Sequence, residues 1–332
     1  MANLYLTEQG SILRKTGDRL IVQKDKEVIL DVQCSKINAI LIFGNVQFTT
    51  QAIHELFEHG IEMALLTRTG RLIGQITSPT TKNIELRVAQ FKRYGEEAFK
   101  LDLARAIVNA KIVNCLNLLK AFSYNHPNIG LSGEISGIEA SLKDVSGADN
   151  VPSLRGIEGT AARTYFQGFA KMMLGEFTFE ARKKHPSTDP VNALLSFGYT
   201  LIFNEISSLL DGLGFDPYLG YFHEVEYGRA SLACDIQEEF RAAIDRYTLY
   251  VINNRMLGKE DFFENPKDGS MYLKREAMKK YFGEYEKYLN REFKHPETKE
   301  NTTLRKCFRI QAERLAIFIK TGEMYKPFVV EG

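Results

Sequence analysis

Apolar and polar side chains alternate in short runs over the first quarter of the chain: 3–6, 11–14, 19–23, 28–32 and 37–43, separated by Gly, Asp or Lys-Glu punctuation. A period of two predicts strands, because successive side chains of an extended chain point to opposite faces. Gln9-Gly10 and Gly17-Asp18 fall where tight turns are required. Residues 50–59 predict a short helix, and two further strands follow at 61–66 and 72–76, joined across Thr69-Gly70. Short strands at regular spacing predict a small sandwich rather than a parallel sheet.

Ser78-Pro79-Thr80 reads as a linker, and beyond it the period becomes that of a helix. Over 85–122, broken near Gly95, the residues Leu101, Ala104, Ile107 or Val108, Ile112, Leu116 and Leu119 share one face. Further helices are predicted at 135–145, 154–174, 191–212, 232–253, 274–293 and 303–320, with Ser231 and the Thr302/Thr303 pair as N-caps. Gly212-Leu213-Gly214 reads as a helix C-cap. The pattern predicts an α+β chain: a small N-terminal β-sandwich-like domain, 1–78, followed by a larger all-helical domain, 82–332.

Composition changes this picture little. Hydrophobic content of 44% and charged content of 26% are those of an ordinary globular protein. No apolar run approaches the ~20 residues of a membrane span, and the N-terminus lacks a signal peptide's basic stretch and apolar core, which predicts a cytoplasmic protein. Four scattered cysteines, with no C-x-x-C pair, read as small buried hydrophobes. A net charge of +1 argues against a protein that coats nucleic acid by bulk positive charge. It leaves room for a local basic surface beside an acidic site.

Three residues carry candidate chemistry. Glu158 lies at the edge of the stripe Leu154, Ile157, Ala161, Tyr165, Phe169, Met172. His223 lies in an aromatic, Gly-punctuated segment, and Asp235 just inside the helix after Gly228-Arg229-Ala230-Ser231. Taken singly, the acids read as helix N-terminal residues opposing the dipole, and the histidine as packed among aromatics. Taken together, two carboxylates and an imidazole suit Mg²⁺ or Mn²⁺. Basic groups at Arg182-Lys183-Lys184-His185, Arg305/Lys306/Arg309 and Lys274/Arg275/Lys279/Lys280 are either solvated faces or contacts to a duplex backbone. There is no G-x-S-x-G elbow, P-loop or strand-borne G-x-G-x-x-G.

Three stretches carry a resemblance. They are Gly156-Ile157-Glu158-Gly159-Thr160-Ala161-Ala162-Arg163-Thr164-Tyr165-Phe166, the run Asp189-Pro190-Val191-Asn192-Ala193-Leu194-Leu195-Ser196-Phe197-Gly198-Tyr199, and the segment from Gly214-Phe215-Asp216-Pro217-Tyr218 through His223 and Tyr227-Gly228-Arg229 to Asp235-Ile236-Gln237-Glu238-Glu239-Phe240-Arg241. In order and spacing they resemble the CRISPR-associated integrase family (Cas one), which inserts spacers during adaptation. The resemblance extends to the Tyr325-Lys326-Pro327-Phe328 ending and spans nearly the whole chain.

That resemblance implies Glu158, His223 and Asp235 as divalent-metal ligands in a helical catalytic domain. Some members carry a further aspartate three positions before the last ligand. Leu232 stands there in this chain, which leaves the rest of the shell to water, substrate or Glu239. It also implies a β-rich dimerisation domain, a homodimer, and two such dimers around a small ferredoxin-like partner (Cas two). The implied reaction is transesterification, in which a DNA 3′-hydroxyl attacks a phosphodiester at a CRISPR repeat; isolated members also cleave nucleic acids, so double-stranded and branched DNA are the expected substrates. Arg182, Lys183, Lys184, Arg305 and Arg309 are candidate phosphate contacts. A structure-selective nuclease of a mobile element and a catalytically silent scaffold are the competing readings.

Overall fold

A computed structural model describes residues 2–77, 83–183 and 186–330. The linker expected at Ser78-Pro79-Thr80, the domain edges at 78 and 82, and Lys184 with His185 lie outside the described residues. The contacts divide the chain into two units, one of Met1–Thr80 with Leu273–Lys287 and one of Thr81–Tyr272 with Tyr288–Gly332.

The first unit contains β1 (Ala2–Leu6), β2 (Ile12–Thr16), β3 (Arg19–Lys24), β4 (Glu27–Gln33), β5 (Ile37–Phe43), β6 (Gln47–Phe48), α1 (Thr50–Glu58), β7 (Glu62–Leu66) and β8 (Leu72–Ile76). They form two four-stranded sheets, ordered β4-β3-β2-β6 and β1-β5-β7-β8. The first is built on antiparallel hairpins. The turn between β3 and β4 places Asp25 and Lys26 at positive φ, the two-residue geometry that matches strand twist, here without glycine. The second sheet departs from the expected sandwich, since β1, β5 and β7 run parallel and only β8 is antiparallel. Crossovers through the other sheet and through α1 supply the long connections that parallel pairing needs. Leu13, Leu20 and Val22 of one sheet share a core with Ile40, Ile42 and Met63 of the other and with Leu56 of α1.

The sequence pattern assigns 274–293 to the helical part. Instead the helix α9 (Arg275–Asn290) contributes its residues up to Lys287 to the first unit. Phe282 stacks on Tyr5 at 4.0 Å, and the Tyr5 hydroxyl donates to Glu286 Oε1 at 2.7 Å.

The second unit is mainly helical: α2 (Ile84–Tyr94), α3 (Glu97–Asn125), α4 (Ser132–Asp144), α5 (Val151–Lys171), α6 (Pro190–Leu213), α7 (Ser231–Gln237), α8 (Arg241–Asn253) and α10 (Leu304–Thr321). It is not all helical. Two short ribbons, β9 (Phe262–Glu264) with β10 (Met271–Leu273) and β11 (Glu292–Lys294) with β12 (Asn301–Thr303), come before and after α9 in the sequence. α6 is long and apolar enough to cross a membrane by length and composition, but 56% of its apolar window is buried, and it packs against α7, α8 and α10 as a core helix does.

Caps follow the sequence in most places. Thr303 accepts from Lys306 N, and Gly214 closes α6 at φ 101°. Ser231 is not a cap: its hydroxyl donates to the Glu224 carbonyl at 2.8 Å. The expected helix at 232–253 is broken by a 3₁₀ turn, Glu238–Phe240, and that break shapes the site.

Candidate active site

Helices α3, α4, α5, α6 and α8, the 3₁₀ turn and the loop carrying His223, all of the second unit, converge on one cavity of about 540 Å³. α5 begins at Asn150, whose side chain accepts from Ser153 N, with Pro152 in the first turn. Its stripe Leu154, Ala161, Tyr165, Phe169 is buried, which sets Glu158 at the edge of the packed face, looking into the cavity. Arg155, one turn earlier, donates to the Phe222 carbonyl through Nε at 3.1 Å and Nη2 at 3.0 Å, and pairs with Glu224. It clamps the histidine-bearing loop to α5.

That loop lies against α7 because of Gly220. A Cβ there would sit 2.7 Å from the Ser231 backbone and side chain, so only glycine allows the approach. The approach brings the Tyr221–His223 main chain onto Asp235, which is fully buried. Asp235 Oδ2 accepts from Tyr221 N at 2.6 Å and Phe222 N at 3.0 Å, and Oδ1 accepts from His223 N at 2.8 Å. Oδ1 also meets His223 Nδ1 at 2.8 Å. Every other group facing Asp235 in these bonds is a donor, so Nδ1 donates and the Nε2 lone pair is left for the cavity. Asp235 therefore stands behind the imidazole, with its two oxygens shared among four donors.

The carboxylate on the cavity side is Glu238, in the 3₁₀ turn. Its Oε1 lies 3.8 Å from His223 Nε2 and 2.9 Å from Arg241 Nε, and its Oε2 lies 2.5 Å from Lys111 Nζ. Lys111, on α3, also pairs with Glu158. Burial would raise the Glu238 carboxyl, but the charges of Arg241 and Lys111 pull it down to about 2, so it is an anion in the fold. Burial opposes charge on Lys111, and Glu238 with Glu158 outweigh it and raise its pKa.

The sequence reading thus finds two residues of the cavity face, Glu158 and His223, and a third, Asp235, that orients the second. Glu238 it misses, together with Lys111 and Arg155. The available signal was the D-x-x-E spacing of Asp235 and Glu238, while Leu232 is a core residue. Glu239, offered as a further ligand, points elsewhere. It accepts from the Tyr325 hydroxyl at 2.6 Å, Phe328 N at 2.6 Å and Gln311 Nε2 at 2.9 Å.

The cavity floor is Asp245, buried and accepting from the Tyr165 hydroxyl at 2.8 Å and from the Tyr199 hydroxyl. Burial raises its carboxyl to about 6 against these bonds and the nearby Arg241 and Arg182. Arg241 lies over the Tyr199 ring at 4.5 Å. Arg182 donates to Asn192 Oδ1 at 2.8 Å and Ser196 Oγ at 2.9 Å, so one face of the Asp189–Tyr199 stretch serves to hold this guanidinium at the cavity. Of the other basic residues, Arg305 is locked to Glu205 at 2.9 Å with little exposure, which removes it from the candidate phosphate contacts. Arg309 is exposed beside Glu313, and Lys183 is half-exposed beside Glu180.

A second group of ligand types, Cys34, Glu55 and His59 of the first unit, has donor atoms within 4.8 Å of one another. There Lys15 pairs with the single carboxylate, and burial raises the Cys34 thiol pKa. One ammonium against one carboxylate leaves no charge for an ion to balance.

A family profile for CRISPR associated protein Cas1 matches residues 4–287. The CRISPR-associated endonuclease Cas1 3 of Thermus thermophilus is 36% identical over 332 residues, covering 98% of this chain and 97% of that protein. A casposase bound to integration product has the same fold, with a TM-score of 0.87 at 23% identity over 99% of this chain and 93% of the other. A chain of a Cas6-RT-Cas1–Cas2 complex gives 0.81 at 28% identity, over 99% of this chain and 36% of that one.

Proposed function

This chain belongs to the Cas1 family, and from that premise we propose that it is a divalent-metal-dependent DNA integrase and endonuclease that joins new DNA ends into a CRISPR repeat. The observation that carries the reading is the convergence of Glu158, Glu238 and the Nε2 face of His223 on one cavity beside Arg241 and Arg182. Two carboxylate donors and one neutral nitrogen fit Mg²⁺ or Mn²⁺. The hydrogen bond from the imidazole to Asp235 supplies the outer-sphere support that metal-ligating histidines use.

When bound, the ion supplies Lewis acidity to a phosphoryl oxygen and lowers the pKa of the attacking hydroxyl. The protein's share is orientation and charge. Glu158 and Glu238 hold the negative wall of the site, Asp235 fixes the imidazole, and Arg241 and Arg182 offer guanidinium charge to the phosphate. The 3′-oxygen of the incoming strand forms a new P–O bond as the target strand's own P–O bond breaks, and the proton passes from the attacking to the leaving oxygen through solvent. One phosphodiester replaces another, so no nucleotide is spent.

The β-rich unit is assigned to homodimerisation, and the small ferredoxin-fold Cas2 is the partner; duplex and branched DNA in the cytoplasm are the substrates. The solved complex with Cas2 supports the partner assignment. Strand transfer into a supercoiled plasmid carrying the repeat, with Cas2 and Mn²⁺ or Mg²⁺ present, tests the reading. Glu158→Ala and Glu238→Ala are each expected to lower joined product by at least about a hundredfold while the chain still melts cooperatively. Undiminished joining in both variants overturns it.

A further inference from the structure

Lys111 is a buried cation wedged between the two carboxylates assigned to the metal. It enters from α3, its side chain is 15% exposed, and it faces Glu158 on one side and Glu238 Oε2 on the other. Among the described residues, Glu238 Oε2 has no other hydrogen-bond partner. A lysine cannot be kept charged at such depth without anions, and two carboxylates cannot be kept adjacent without a cation. The three groups are mutually dependent.

Arg241 makes the contrast. Its guanidinium is planar, pairs with the other Glu238 oxygen and lies over the Tyr199 ring, so it is fixed on two sides. Lys111 offers a point charge on a flexible four-carbon stem, which can withdraw along α3 without breaking a stacked geometry. Of the two cations on Glu238, the lysine is the exchangeable one.

We infer that Lys111 is a resident counter-cation of this site: its ammonium holds Glu158 and Glu238 beside His223 when no metal is bound, and it yields those oxygens to the divalent ion by exchange. This rests on the metal-site reading above. Lys111 is thus a positioning residue whose charge competes with the cofactor, which moderates affinity and keeps the site folded between loadings. A purely structural lysine would act in the opposite sense, because its loss would disorder the carboxylates and weaken ion binding.

The test is a Mn²⁺ titration of the full-length protein, followed by calorimetry, with melting recorded in chelator and in saturating Mn²⁺. The chains compared are wild type, Lys111→Met, Lys111→Arg and Glu158→Ala. Lys111→Met is expected to bind Mn²⁺ at least about tenfold more tightly than wild type, since a like charge beside the ion is removed. It is also expected to melt lower in chelator and to gain more from Mn²⁺ than wild type does. Lys111→Arg keeps the charge and is expected to restore the wild-type melt in chelator with no tighter binding.

Unchanged or weaker Mn²⁺ binding by Lys111→Met, or a wild-type melt of that chain in chelator, overturns the inference. Should the Met chain not fold, Lys111→Gln purified in Mn²⁺ and then stripped supplies the same two readings. Failure of the underlying reading has a different signature: wild type binds no Mn²⁺, or Glu158→Ala leaves its binding intact, and both proposals fall together.

Discussion

At the scale of single residues, the division of labour between two acids three positions apart decides the chemistry. Asp235 is consumed by three main-chain N–H groups and an imidazole, whereas Glu238 faces the cavity with cations on both oxygens. Asp235→Ala leaves those buried donors unpaired, at about 1–3 kcal/mol each. The expected outcome is a clear drop in melting temperature together with weaker Mn²⁺ binding, on the order of 10–100-fold, through the freed imidazole. Calorimetry checks both, and a variant that melts and binds as wild type does would contradict the geometry. The sequence nominated Asp235 as a helix-end carboxylate and passed over Glu238, because nothing local ranks the two. Ranking needs to know that Gly220 brings the Tyr221–His223 backbone onto α7, a contact between segments that only the fold creates.

At the scale of elements, the strand runs and several helix ends were legible because local rules set them: period-two alternation, the Thr303 cap of α10, and a left-handed glycine closing α6. Sheet pairing was not legible, because β1, β5 and β7 come together across the chain. Nor was the 3₁₀ break at Glu238–Phe240, which no Gly or Pro announces and which sends adjacent glutamates to different places. Glu238 goes to the cavity. Glu239 goes to the C-terminal segment, where Asn114 also receives Val330 N at 2.8 Å and donates to the Phe328 carbonyl at 2.9 Å.

Burial raises the Glu239 carboxyl from 4.5 to about 7 despite its hydrogen bonds from Tyr325, Phe328 and Gln311. The folded chain therefore holds a proton that the unfolded chain releases between those values. The associated stability is complete below about 4.5 and is lost as pH rises to about 7. Glu239→Gln lacks this titration. The difference in melting temperature between the two chains is expected to shift in the variant's favour from pH 4.5 to 7 and to be level above that window. A difference independent of pH would contradict the assignment.

At the scale of the molecule, a net charge of +1 conceals a paired interior. Around the cavity Glu158, Glu238 and Asp245 are matched by Lys111, Arg241 and Arg182. Composition sums such pairs to nothing, which is why it was silent on function, and why one charge cluster, Arg305 with Glu205, looked like a DNA contact before its partner was known. The proposed function ties this cavity to DNA, and the arrangement of its charges is what supports placing an ion there.

The central claim is that Glu158, His223 Nε2 and Glu238 hold the ion, with Asp235 outside its coordination shell. Crystals soaked in Mn²⁺ and measured for anomalous scattering test it most directly. The account predicts one strong peak in the cavity, bonded to Glu158, to His223 Nε2 and to Glu238. A peak bonded to Asp235 with Glu238 turned away, or one confined to Cys34, Glu55 and His59, would contradict it.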